Sequence, residues 1–139
     1  MLRLVSSLTV LMACCPLAQA QASRFDGAWN VVLTCPAHHE DDDDAKGYVH
    51  RFGGKVVDGE LSATHAKEGE PGWHFLHGRI KTNGEANLRL EGIVNNAKYA
   101  INDAQRGKPY SYRVKARFDD KTGTGRRLSG RDCSFAFSR

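Results

Sequence analysis

The sequence predicts an all-β protein: an eight-stranded antiparallel up-and-down (meander) barrel, closed by a disulfide between its first and last strands. Three observations predict it. Apolar and polar residues alternate with a period of two along much of the chain, whereas helical periodicity is scarce. Turn signals recur at short intervals, the strongest being Asp58-Gly59 and Asn83-Gly84, dipeptides that accept the positive φ of tight hairpins. Two cysteines, Cys35 and Cys133, fall on the first and last predicted strands.

The strands follow in order. Trp29, Val31, Leu33 and Cys35 alternate with Asn30, Val32 and Thr34, and form the first. The second runs from about Gly47 to Val57 and turns at Asp58-Gly59 into a third, Glu60 to His65. The loop from Lys67 to Gly72 leads to a fourth, Trp73 to Lys81, which Asn83-Gly84 closes. Ala86 to Val94 is the fifth, Lys98 to Ala104 the sixth and Tyr110 to Phe118 the seventh. The eighth is expected from about Leu128 to Ser138. A meander of eight such strands closes on itself and so removes exposed edges.

A Cys35–Cys133 bridge between antiparallel neighbours sets a register. Leu33 then faces Phe135, Val31 faces Phe137 and Trp29 faces Arg139, all on one side of the sheet. The more polar residues Asn30, Val32 and Thr34 face Ser138, Ala136 and Ser134 on the other. A slip of one residue would destroy this match.

Residues 1–20 read as a cleaved export signal. Arg3 supplies a positive start, Leu4 to Cys15 an apolar run, and Ala18-Gln19-Ala20 a small-residue cleavage site. A lipoprotein signal that modifies Cys14 is the alternative. The apolar run is shorter than the ~20 residues a transmembrane helix needs, and no other stretch is a better candidate. Residues 21–139 form a single β-barrel domain, periplasmic or secreted. Of the four cysteines, processing leaves Cys35 and Cys133, and an exported pair implies a disulfide.

The stretch "FDGAWNV" contains Gly27-x-Trp29 at the start of the first strand. This resembles the signature of the lipocalin and avidin group, the calycin-type barrels. The resemblance implies a tryptophan plugging the barrel floor, an arginine near the chain end packing over it, and a ligand cavity; Trp29 and Arg139 are the matching residues. The T-D-Y motif of lipocalins is absent, and the ligand set of avidin does not match position by position. The wider pattern, including Arg131-x-Cys133-x-Phe135, also resembles small exported bacterial proteins of unassigned function.

For chemistry, the richest stretch is "CPAHHEDDDDAKGY", Cys35 to Tyr48. His38, His39 and Asp41 offer metal-ligand types, but adjacent side chains on an extended segment point apart, and the acids lack the spacing of a calcium loop. The expectation is a solvated connection and no metal. His74 and His77 fall on opposite strand faces, so with His50 and His65 they are read as scattered surface histidines. Thr122 to Arg127 is glycine-rich but lies between strands rather than before a helix, which fits a hairpin loop. No nucleophile motif is present, so the expectation is a protein that is not an enzyme and carries no cofactor.

The net charge of +4 gathers on one strand face. Arg113, Lys115 and Arg117, with Arg126 and Arg127, form a basic face suited to an acidic partner. Export argues against nucleic acid. Trp29, Leu33, Tyr112, Phe135 and Arg139 are the candidates for the barrel interior and its ligand. The function expected is binding of a small molecule or an anionic envelope component; the alternative is a protein-interaction module, such as an inhibitor of a periplasmic or secreted hydrolase.

Overall fold

A computed structural model describes residues 23–139. The expected export signal, with its alternative at Cys14, lies outside the described residues. Among the described residues ten strands form: β1 (Gly27–Cys35), β2 (His38–Glu40), β3 (Asp43–Ala45), β4 (Tyr48–Val57), β5 (Glu60–His65), β6 (His74–Arg79), β7 (Glu85–Ile93), β8 (Pro109–Phe118), β9 (Thr122–Arg127) and β10 (Ser134–Ser138). Eight of them close an antiparallel barrel in the order β1-β10-β9-β8-β7-β6-β5-β4, and β2 and β3 make a small separate hairpin.

The closure register is the expected one. Val31 pairs with Phe137, Leu33 with Phe135 and Thr34 with Ser134, and the Cys35–Cys133 disulfide joins the same two chain segments. On its other side β1 pairs with β4, from Gly27↔Val56 to Cys35↔Tyr48. Both edges of the first strand are therefore taken up.

Two expectations about elements are corrected. Lys98 to Ala104 is not a strand. Ala97–Tyr99 is a 3-10 turn, started by the Asn96 side chain accepting from the Lys98 amide, and Asn102 and Asp103 take positive φ (58° and 52°), which no ladder accommodates. Conversely, Thr122–Arg127 is a barrel strand rather than a hairpin loop, paired with β8 and β10, and Leu128 to Cys133 is the connection to β10. The count of eight survives because one expected strand disappears and an unexpected one takes its place.

Glycine permits two of the close approaches. A Cβ on Gly54, opposite Trp29, would lie 2.5 Å from the Ala63 Cβ. Within β9, a Cβ on Gly123 would lie 2.9 Å from the Phe118 ring. Gly123 reads as a loop glycine in one dimension, but both positions lie within strands where a side chain has no room.

The barrel is filled at one end. Phe25, Trp29, Val31, Leu61, Phe118 and Phe137 are all buried there, and the Trp29 and Phe118 rings meet edge to face at 5.4 Å. The indole Nε1 of Trp29 donates to the Phe25 carbonyl (2.8 Å). Arg139 covers this floor from outside, its guanidinium 4.7 Å from the Trp29 ring while donating to the carbonyls of Arg24, Phe25, Asp26 and Asp120. Among the described residues, no helix is long and apolar enough to cross a membrane.

Candidate functional site

The other end of the barrel is open and holds a cavity of about 600 Å³. Its wall follows from strand parity. On β4 the inward side carries Tyr48 and His50; β5 ends with His65, β6 begins with His74, and β8 begins near Tyr110. All five line the cavity, together with Arg127 from the end of β9 and Arg131 from the following connection. The chain between β7 and β8 arches over the mouth and adds Val94, Tyr99, Ile101 and Lys108.

Gly92 makes part of this space. It pairs with His74 on one side and Tyr110 on the other. A Cβ at this position would fall 2.5 Å from Tyr110 Cζ, so any other residue would push the phenol ring across the cavity.

The two arginines are held differently. Arg131 is buried (6 % exposed) and donates to three carbonyls: Pro36 (2.7 Å), Lys46 (2.6 Å) and Tyr99 (2.8 Å). It ties the mouth loops to the disulfide-anchored end of β1, and burial pulls its pKa down. Arg127 lies over the Tyr112 ring at 4.1 Å and donates to the Ser129 carbonyl. Among the described residues neither arginine forms an ion pair, and no aspartate or glutamate lines the cavity. Burial raises the pKa of Tyr48, Tyr110 and Tyr112, so these phenols stay neutral donors.

Three histidines share one side of the wall. His65 and His74 are directly paired across β5 and β6, and His50 stacks on both, with ring centroids 4.4 Å and 5.2 Å away. His74 is 1 % exposed. Its pKa is pushed down to about 3, first by burial and then by the neighbouring His65 and His50. Burial likewise lowers that of His50, with His65 adding to it.

This cluster corrects the reading of scattered surface histidines. His77 does face away, bonded to Glu91 at 2.9 Å. The signal for the other three was parity with apolar neighbours: His50 with Phe52, His65 with Ala63, His74 with Leu76. His50 and His74 lie near strand starts and His65 at a strand end, so a meander brings all three to the same rim.

The expected site residues are distributed as follows. Trp29, Leu33, Tyr112 and Phe135 are buried in the barrel, but none lines the cavity; they fill the core beneath it, and Arg139 lies outside the floor. Arg113, Lys115, Arg117 and Arg126 face outward, Arg117 within 3.6 Å of Glu85 and Arg126 within 2.6 Å of Asp132; of the basic group only Arg127 reaches the cavity. His38 and His39 sit on the β2–β3 hairpin and turn apart. His38 lies 3.5 Å from Asp43 and His39 2.7 Å from Asp44, while Asp41 occupies the exposed turn with φ 47°. Among the described residues, the group whose ligating atoms do come together is His50, His65 and His74.

Neither a family model, nor a curated protein, nor a solved structure matches this chain.

Proposed function

We propose that the protein is an exported, non-catalytic binding protein that takes a small anionic organic molecule in the open end of its barrel. One observation carries this reading: a cavity of about 600 Å³ whose wall includes Arg127, Arg131 and Lys108 and no carboxylate. Ligand pockets of drug-sized molecules run from ~300 to ~1,000 Å³, mostly apolar with a few placed polar groups. Ile93, Val94 and Ile101 supply apolar wall here, and Tyr48 and Tyr110 supply flat aromatic faces. A cavity with unpaired cations focuses positive potential and favours a carboxylate, sulfonate or phosphate group. The disulfide supports export to an oxidising compartment.

The test is native mass spectrometry of protein purified from its own host, followed by a thermal-shift screen of organic carboxylates and phosphates. A co-purified or stabilising anion is expected, and Gly92→Val should abolish its binding while leaving the barrel folded. Protein that carries nothing and responds to no anion would overturn the reading.

A second reading is contact with an acidic protein face, such as that of a secreted hydrolase. It is favoured by the outer surface, where Arg89 is paired with Arg113 and Lys115 with Arg126. Like charges directly opposite one another on a sheet are destabilising, and an acidic partner would relieve them. Capture of a stoichiometric partner from periplasmic extract, lost in Arg113→Glu/Lys115→Glu, would support it; no capture would remove it.

A further inference from the structure

The geometry points to a transition-metal site formed by His50, His65 and His74, with an open coordination position facing the cavity. The three imidazoles come from consecutive strands β4, β5 and β6, and each offers a ligating nitrogen within 4.8 Å of the other two. Imidazole suits zinc, copper and nickel, and the absence of a carboxylate in the cavity wall is wrong for calcium or magnesium. Three histidines with a vacant fourth position form a recognised zinc ligand set.

The nitrogens are prepared for this. His65 Nδ1 lies 3.2 Å from the Gly72 carbonyl; a carbonyl only accepts, so Nδ1 carries the hydrogen and Nε2 presents its lone pair. Such an outer carbonyl commonly orients a metal-binding histidine. His50 Nδ1 and His74 Nε2 are buried without a hydrogen-bond partner. Leaving buried polar nitrogens unpaired is destabilising, and a metal would satisfy them.

The rings stand nearly parallel, 4° to 10° apart, whereas the lone pairs of three ligands must converge on one point, about 3.3 Å apart in a tetrahedral centre with metal–nitrogen bonds of about 2.0 Å. Binding therefore requires the rings to turn about their Cβ–Cγ bonds, and the cavity beside them gives room. Arg127 and Arg131 in the same wall oppose a bare dication and favour one whose fourth ligand is an anion. The site does not depend on the organic-ligand reading, because water can complete the coordination.

The test uses the disulfide-bonded protein after treatment with chelator. Titration with Zn(II), followed by calorimetry, and with Co(II), followed by visible absorption, should show one equivalent bound with the bands of a tetrahedral centre. His65→Gln, at a half-buried position, should weaken binding at least ~10-fold, while His38→Ala/His39→Ala should leave it unchanged. Nitrogen NMR of the unmodified protein provides the check that needs no variant: Zn(II) should shift the ring nitrogens of all three histidines together. No stoichiometric binding, or binding lost with His38 and His39 and kept with His65→Gln, would overturn the site. Anion binding measured on the chelator-treated protein reads the cavity alone, so the two readings fail separately.

Discussion

The carboxylate of Asp26 accepts hydrogen bonds from the Ser23 hydroxyl (2.5 Å) and from the amides of Asp58 and Gly59 (2.8 and 3.0 Å). It thus ties the entry of β1 to the turn between β4 and β5. The Ser23 hydroxyl contributes most to lowering its pKa beneath 3.8, with the two turn amides adding to it. A group whose folded value is depressed stabilises most fully above its unfolded value, and loses that contribution as pH falls through the folded one. Asp26→Asn is therefore expected to unfold at lower urea than the parent at neutral pH. The gap should narrow once pH falls below 3.8; a gap independent of pH would show that the ionised form is not what matters. Asp26 stood out in the sequence only as a neighbour of Gly27-x-Trp29. Its partners lie 32 and 33 residues away, so no local spacing announces them. Trp29 and Arg139 were legible, because the closure register continued one pair beyond Asn30↔Ser138 brings the guanidinium to the indole.

At the scale of elements, alternation succeeded where both strand faces carry informative side chains, as in β8. It failed for β9, where the inward positions are Gly123 and Gly125 and nothing apolar marks a buried side. It failed in the opposite way for Lys98 to Ala104, whose mixed residues suit a strand but which folds as turns held by the Asn96 cap and by the Lys46 amide donating to the Lys98 carbonyl. Tertiary context overrode weak local preference in both cases. The glycines of β9 then make a testable claim. Gly123→Val should collide with the Phe118 ring and the Arg117 carbonyl, contacts of 2.9 and 3.1 Å already for a Cβ. Overpacking of this kind costs about 1–3 kcal/mol, to be read from urea unfolding. Thr124→Val, at the exposed position of the same strand, should be nearly neutral. Equal effects would mean that β9 is not packed against β8 in this way.

For the whole molecule, closure was legible because it needs only two strands and one register, whereas the cavity was not. Its wall takes residues from six strands, β4 to β9, and from the Val94 to Lys108 arch, and their level along the axis depends on strand stagger, which alternation does not encode. The histidine rim shows the same limit: each inward parity could be read separately, but their meeting could not. Closure also predicts where stability resides. The Cys35–Cys133 bridge spans a sequence separation of 98, so reducing it frees most of the unfolded chain, a change of ~4–5 kcal/mol in the chain-entropy treatment. The β1–β10 ladder, from Asn30↔Ser138 to Thr34↔Ser134, is made by strand pairing and not by the bridge, so Cys35→Ser/Cys133→Ser should still fold at low temperature, with its urea midpoint far below that of the parent. The mouth should suffer before the floor, since Arg131, two residues from Cys133, holds Pro36 and Lys46, whereas Trp29 and Phe118 pack at the far end. Amide exchange would then accelerate first in Pro36–Tyr48 and Leu128–Cys133. Uniform acceleration across all eight barrel strands would instead show that the bridge supports the molecule only as one cooperative unit.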